Sequence, residues 1–312
     1  MSTPFLTIFT APKPFTDPHI RVIQRNAIRS WKQLEPEVGI VLIGDEPGIE
    51  ETAREFNLGH VSNVRKNDHG TPLISSIFEQ GRSYYQSPQL AYINADIIIF
   101  SNFLDVTQFV SSLKKHYLLV GQRWDMDIRE ELDFSVGWEA SLKEECKKNG
   151  QLHPRGGSDY FIYPRYCYRF IPDFAVGRAG WDNWMFYKAR AEGWACIDGT
   201  PSIHIIHQNH DYSHLPGGQP HYRLPETFEN VRLAGGRRTI FTLFDVQYEV
   251  ANGSIQKYPA DAKKFWREVE IFPLIKLKSR WLANLFFAIL HPKRAWIEYR
   301  NWLKNRDKKA EK

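Results

Sequence analysis

Apolar positions along the first hundred residues follow two alternating periods. Near-continuous apolar runs at Phe5–Thr10, Val38–Ile43 and Ala91–Phe100, with a shorter one at His60–Val64, predict buried strands. Between them, apolar residues recur at three- and four-residue intervals. Ile20, Ile23, Ala27, Ile28 and Trp31 share one side of a helix predicted over Ile20–Leu34, and helices are also predicted over Ile49–Phe56 and Pro72–Tyr85. Pro- and Gly-rich turns at Ala11–Pro14 and Gly44–Gly48 punctuate the pattern. The order β-α-β-α-β-α-β predicts an α/β fold whose mainly parallel or mixed sheet is flanked by helices, with ligands at the carboxyl ends of the strands.

Beyond Phe100 the periods are less regular. A helix is predicted over Val106–His116, strands at Tyr117–Gly121, Tyr160–Tyr163 and Ile203–Ile206, and a helix over Asp182–Glu192; Trp124–Lys148 reads only as a charged segment. No repeat or low-complexity linker divides the chain, so the partition expected is a catalytic domain over residues 1–265 and a C-terminal helical appendage over 266–312. Charge sharpens that division. Eleven Lys/Arg against three Asp/Glu fall in residues 273–312, so the net charge of +5 becomes −3 over the rest. A body of that balance is not a nucleic-acid surface. The appendage alternates Trp, Leu, Phe and Tyr with Lys and Arg, a pattern for amphipathic helices lying either on an anionic membrane face or on the domain with a solvated basic edge.

Within the run Ala91–Phe100 only Asn94 and Asp96 are polar, and strand alternation points them the same way. A carboxylate in an Ile-rich strand is tolerated when it is paired or binds a cation. Two arrangements satisfy this: Asp96 caps a turn or pairs with an Arg, or it meets a hard divalent metal, Mn2+ or Mg2+, that keeps positions for phosphate oxygens.

Several site types are excluded. There is no GxGxxG, GxxxxGK[ST] or GxSxG, and the first turn holds two prolines and no glycine. Cys146, Cys167 and Cys196 are odd in number and far apart, which argues against a disulfide framework and for a reducing compartment. The N-terminus enters a strand without a basic and apolar leader, and no run of about 18 apolar residues occurs. The expected location is cytoplasmic, with peripheral contact to the inner membrane face if the appendage binds lipid.

Six segments together resemble the GT-A class of nucleotide-sugar glycosyltransferases. They are Thr7-Ile-Phe-Thr-Ala-Pro12, Gly44-Asp-Glu46, Asn94-Ala-Asp96, Gly157-Ser-Asp-Tyr-Phe161, Gly180-Trp-Asp-Asn-Trp184 and His207-Gln-Asn-His210, and the likeness spans residues 5–215. It rests on their order and spacing. Asn94-Ala-Asp96 stands where that class carries an Asp-x-Asp metal motif, with Asn replacing the first carboxylate.

The resemblance implies a nucleotide-diphospho-sugar donor and a saccharide or lipid-linked acceptor. Thr10, Ala11 and Pro12 would form the loop against the base, and Asp45 would approach the uracil or ribose. Asn94 and Asp159 would face the donor, Trp181 would stack on a sugar, and Asp182 would be the general base of an inverting transfer. Asp96 and His207 would hold the metal, with His210 the second choice among His204, His207, His210 and His214. Simple capping and turn roles satisfy Asp45, Asp159 and Asp182 as well. The alternatives to a transferase are a nucleotidyltransferase that makes nucleotide-sugars and a non-catalytic carbohydrate- or membrane-binding module. Against the former, Ala-Pro-Lys-Pro stands where a Gly-rich basic loop is usual; the latter is favoured if Asp96, Asp159, Asp182 and His207 scatter.

Overall fold

Residues 3–210 and 224–310 are described in a computed structural model, with side chains as far as residue 303. The predicted alternation is present as β1 (Leu6–Thr10), α1 (Pro18–Lys32), β2 (Val38–Ile43), α2 (Ile49–Phe56), β3 (Gly59–Val61), α3 (Ile74–Tyr84) and β4 (Gln89–Ile93). α1 begins where Asp17 accepts a hydrogen bond from the Ile20 amide at 2.9 Å and Pro18 occupies the first turn. β1 pairs in parallel with both β2 and β4, and β2 with β3. Period-two burial sorts β1 between two cores. Leu6 and Ile8 pack with Ala27, Ile28 and Trp31 of α1, whereas Phe9 packs with Ile77 and Phe78 of α3.

The run Ala91–Phe100 is not one strand. β4 ends at Ile93, and β5 (Ile97–Ile99) belongs to a different sheet. The Asn94 amide donates to Asp159 O at 2.9 Å and the Ile97 amide to Asn94 O at 3.2 Å, so residues 94–96 form a turn. The Asn94 bond continues the β4–β9 register, and the turn that follows passes the chain to the other sheet, so strand alternation does not set the relative directions of Asn94 and Asp96.

The remaining elements are α4 (Asn102–Leu113), β6 (Tyr117–Val120), β7 (Trp124–Met126), α5 (Trp138–Asn149), β8 (Gln151–Leu152), β9 (Tyr160–Pro164), α6 (Trp181–Ala191), β10 (Ala195–Asp198), β11 (Ile205–Gln208), α7 (Pro225–Ala234), β12 (Tyr248–Ala251), β13 (Ser254–Lys257), α8 (Ala262–Ile275), α9 (Arg280–Leu290) and α10 (Pro292–Ala310). Nine strands form the large sheet in the order β13-β12-β10-β6-β9-β4-β1-β2-β3, antiparallel only at β9 and β13. This is the α/β class with a mainly parallel sheet flanked by helices. A small sheet, β5-β11-β7-β8, stands beside it. The charged segment Trp124–Lys148 thus contains β7 and α5, and the late strand runs two residues beyond Ile206.

α8 crosses residue 265, and its Ile271, Leu274 and Ile275 lie in the same core as the large sheet. Lys264 is buried and donates to Phe244 O at 2.6 Å and Val246 O at 2.7 Å. α9 and α10 follow it on the surface.

Candidate active site

The cleft opens where the parallel strands end. β1 delivers Ala11 and Lys13, β4 delivers Asn94 and Asp96, and β6 leads to Arg123. Because β9 runs antiparallel, its start brings Gly157, Ser158 and Asp159 to the same edge. α6 begins there with Trp181 and Asp182, and β11 ends there with His207 and His210. The cavity has a volume of about 600 Å3, within the usual range for a site that takes a small organic ligand.

β11 explains the position of His207. Its register sets His207 between Ile97 of β5 and Asp125 of β7. Gln208, fully buried, fixes the strand end by donating from Nε2 to Ile23 O at 2.7 Å, and the Asn209 amide donates to Met126 O at 2.9 Å. With those neighbours anchored, Asp96, His207 and His210 offer ligating atoms that all lie within 4.8 Å of one another. His210 Nε2 is 3.1 Å and His207 Nε2 3.8 Å from Asp96 Oδ2. Lys13 Nζ lies 3.2 Å from His210 Nε2, and its backbone is clamped by reciprocal hydrogen bonds with Gln24 at 2.7 and 2.9 Å. Burial works against the charge on Asp96, yet His207, His210 and Lys13 more than offset it and hold the carboxyl well below the usual range.

The donor set fits a divalent cation. Asp96 Oδ1 is buried and has no hydrogen-bond partner among the described residues, a polar atom whose exposure to a cation would satisfy it. One carboxylate and two imidazoles leave coordination positions open for oxygen ligands of a substrate.

A second network supports this one. Arg123 Nη1 donates to both Asp159 oxygens at 2.7 Å, and Arg123 Nε donates to Asp125 Oδ1 at 2.8 Å. Asp125 Oδ2 is 2.6 Å from His153 Nδ1, and Asp125 Oδ1 is 3.1 Å from His207 Nδ1. Asn94 Nδ2 donates to Asp159 Oδ1 at 2.8 Å, so Asn94 and Asp159 are tied to each other.

Asp182 stands at the opposite wall in the first turn of α6. Its Oδ1 accepts from the Gly180 amide at 3.2 Å, and a Cβ at Gly157 would come to 3.2 Å from Oδ2, a contact tight enough that the carboxylate would have to shift slightly. Burial pushes the Asp182 carboxyl above its ordinary value, although backbone amides of Asn183 and Gly180 counter the effect. A raised carboxylate is the better proton acceptor.

Of the residues singled out in the sequence, Ala11, Asn94, Asp96, Asp159, Trp181, Asp182 and His207 line this one cavity. Thr10 and Pro12 are buried behind Ala11 and do not. Asp45 is exposed away from the cavity lining and pairs with Lys66 at 2.6 Å. Trp181 presents little surface to the cleft: it is 7% exposed and packs edge-on against Phe78 and Tyr92. His204 is half-buried and stacked on Trp124, and burial pushes its imidazole down to about 4. His214 lies outside the described residues. Lys13, Arg123, Asp125 and His153 were missed. For Asp125 the only signal was an acid inside the short apolar triplet Trp124-Asp-Met126.

No protein-family model matches the chain, and no curated protein matches it by sequence. Solved structures do. The chain is similar to GalNAc-T7 in its crystal structure with UDP, GalNAc and Mn2+, with a TM-score of 0.48 and 12% identity over 75% of this chain and 48% of that one. It is also similar to the mannosyltransferase PcManGT from Pyrobaculum calidifontis in complex with GDP-Man and Mn2+, with a TM-score of 0.42 and 8% identity over 68% of this chain and 59% of that one. The matched region thus spans about half the length of the first protein and less than two thirds of the second.

Proposed function

We propose that this chain is a GT-A glycosyltransferase that moves a sugar from a nucleotide-diphospho-sugar to an acceptor hydroxyl with inversion. The observation that carries the proposal is convergence. Asp96, His207 and His210 meet in one cleft with Asp159 and Asp182, at the strand edge where α/β sheets bind ligands.

In this proposal Asp96, His207 and His210 would hold Mn2+ or Mg2+, which would supply positive charge for the leaving diphosphate. Two imidazoles make a softer set than the all-oxygen shell Mg2+ prefers, which favours Mn2+. Lys13 supplies a further positive charge beside His210 for the diphosphate. Asp182 accepts the proton of the acceptor hydroxyl while the new bond to the anomeric carbon forms and the anomeric carbon–phosphate oxygen bond breaks. Arg123 fixes Asp159 and Asp125, so these two acids shape the cleft. Ala11 and the loop behind it face the nucleotide. The acceptor class is a saccharide or a lipid-linked sugar.

A screen of UDP- and GDP-sugars for release of the nucleoside diphosphate tests the proposal. Expected is release that needs Mn2+ and is abolished in Asp182→Asn. Formation of a nucleotide-sugar and pyrophosphate from a nucleoside triphosphate and a sugar phosphate would establish the nucleotidyltransferase instead.

A further inference from the structure

α9 is apolar on two opposite faces. Ala283 and Phe287 are buried against the body, while Trp281, Leu285 and Ile289 are 71%, 41% and 66% exposed. A four-residue spacing puts those three in one stripe, about half a turn from the buried pair. After Arg280 the helix has no charged residue at all. A helix on a protein surface ordinarily turns charge toward water, so an outward apolar stripe marks a contact surface.

α10 adds a second stripe of different character. Lys293, Trp296, Ile297 and Arg300 recur at helical spacing and are all exposed. Among the described residues, three acids of this region are engaged in ion pairs. Glu268 pairs with Arg190 and Lys264, Glu270 with Arg267 and His291, and Glu298 with Arg237 and Arg238. By contrast Lys276, Lys293, Arg294 and Arg300 form no ion pair among the described residues. The exposed positions of these helices therefore combine large apolar side chains with positive charge that forms no ion pair among the described residues. That combination complements an anionic bilayer, whose phosphates meet the cations while the acyl boundary receives the rings. A second copy of the same surface would bring like charges together. No helix among the described residues is long and apolar enough to cross a membrane, so the geometry suits lying on one.

We propose that α9 and the first half of α10 dock the protein on an anionic lipid surface. Trp281, Leu285, Ile289, Trp296 and Ile297 enter the headgroup boundary, and Lys276, Lys293, Arg294 and Arg300 contact lipid phosphates. The surface works without any substrate in the cleft, so it stands apart from the transferase proposal.

Flotation of the full chain with phosphatidylcholine vesicles, with and without phosphatidylglycerol, tests this. Expected is flotation only with the anionic vesicles, weakening as salt rises, with a blue shift of tryptophan emission. Trp281→Glu combined with Leu285→Glu should abolish flotation. Lys293→Gln and Arg300→Gln should each lower partitioning about fivefold. All four positions are exposed, and an unchanged melting temperature without vesicles shows that the variants remain folded. Absence of flotation overturns the proposal, as does equal binding to neutral vesicles. Lipid-free self-association that Leu285→Glu reverses also overturns it, by naming a second copy as the occupant.

Discussion

Asp125 Oδ1 lies 3.1 Å from His207 Nδ1, on the far side of the ring from Asp96. The imidazole is held between two carboxylates, one facing the cleft and one behind it. If His207 ligates a metal as proposed, this proximity would let Asp125 act as the outer carboxylate behind the ring. Asp125→Asn should weaken Mn2+ binding by about 10- to 100-fold, read by electron paramagnetic resonance of free Mn2+. A metal-free melting temperature close to wild type would separate this effect from a general loss of structure; unchanged Mn2+ affinity would remove Asp125 from the site.

Asp182 carries a prediction about pH. Its folded carboxyl is raised above the ordinary value of 3.8, with burial the main cause. The stability linked to its protonation is complete below 3.8 and is lost as pH rises through the folded value. Asp182→Asn does not ionise, so above that range it should melt higher than wild type while turnover disappears. The difference in melting temperature should close as pH falls toward 3.8. A variant that melts lower than wild type at neutral pH would contradict the burial argument.

Arg123 bridges two acids while only 16% exposed at its side chain. Removing it leaves Asp159 and Asp125 without their shared counter-charge. Arg123→Ala should cost about 3 kcal/mol of stability, measured by urea unfolding, whereas an exposed pair such as Arg54–Glu50 should contribute under about 1 kcal/mol.

Gly81 sits inside α3, where alanine ordinarily stabilises a helix by about 1 kcal/mol. Here an added Cβ would stand 2.3 Å from Phe9 Cγ, in the ring that joins α3 to β1. Gly81→Ala should therefore destabilise by about 1–3 kcal/mol, and a stabilised variant would mean that the α3–β1 contact relaxes freely.

Period alone placed β1, β2 and the first part of β4 and the helices between them, because each strand is buried on both faces between two cores and each helix buries one stripe. It failed at Asn94–Asp96, where a turn closed by the Ile97 amide on Asn94 O lies within an apolar run. It also missed β7, whose three residues are too short to show a period. Within the candidate site, Asp96 stood out as a carboxylate in an apolar run, whereas Asp182 was singled out only through the resemblance. The resemblance set Asp45 near the nucleotide; in the structure it lies outside the cavity lining and pairs with Lys66. Arg123, Asp125 and His153 meet only through cross-strand pairing between β7, β8 and β11, which spacing along the chain does not reveal.

The central claim is a metal-dependent nucleotide site at Asp96, and calorimetric titration of UDP and GDP tests it most directly. One of the two should bind in the presence of Mn2+. That binding should vanish with EDTA and in Asp96→Ala, and persist in Asp182→Asn. Failure of both nucleotides to bind with Mn2+ present, or binding indifferent to EDTA and to Asp96→Ala, would contradict it.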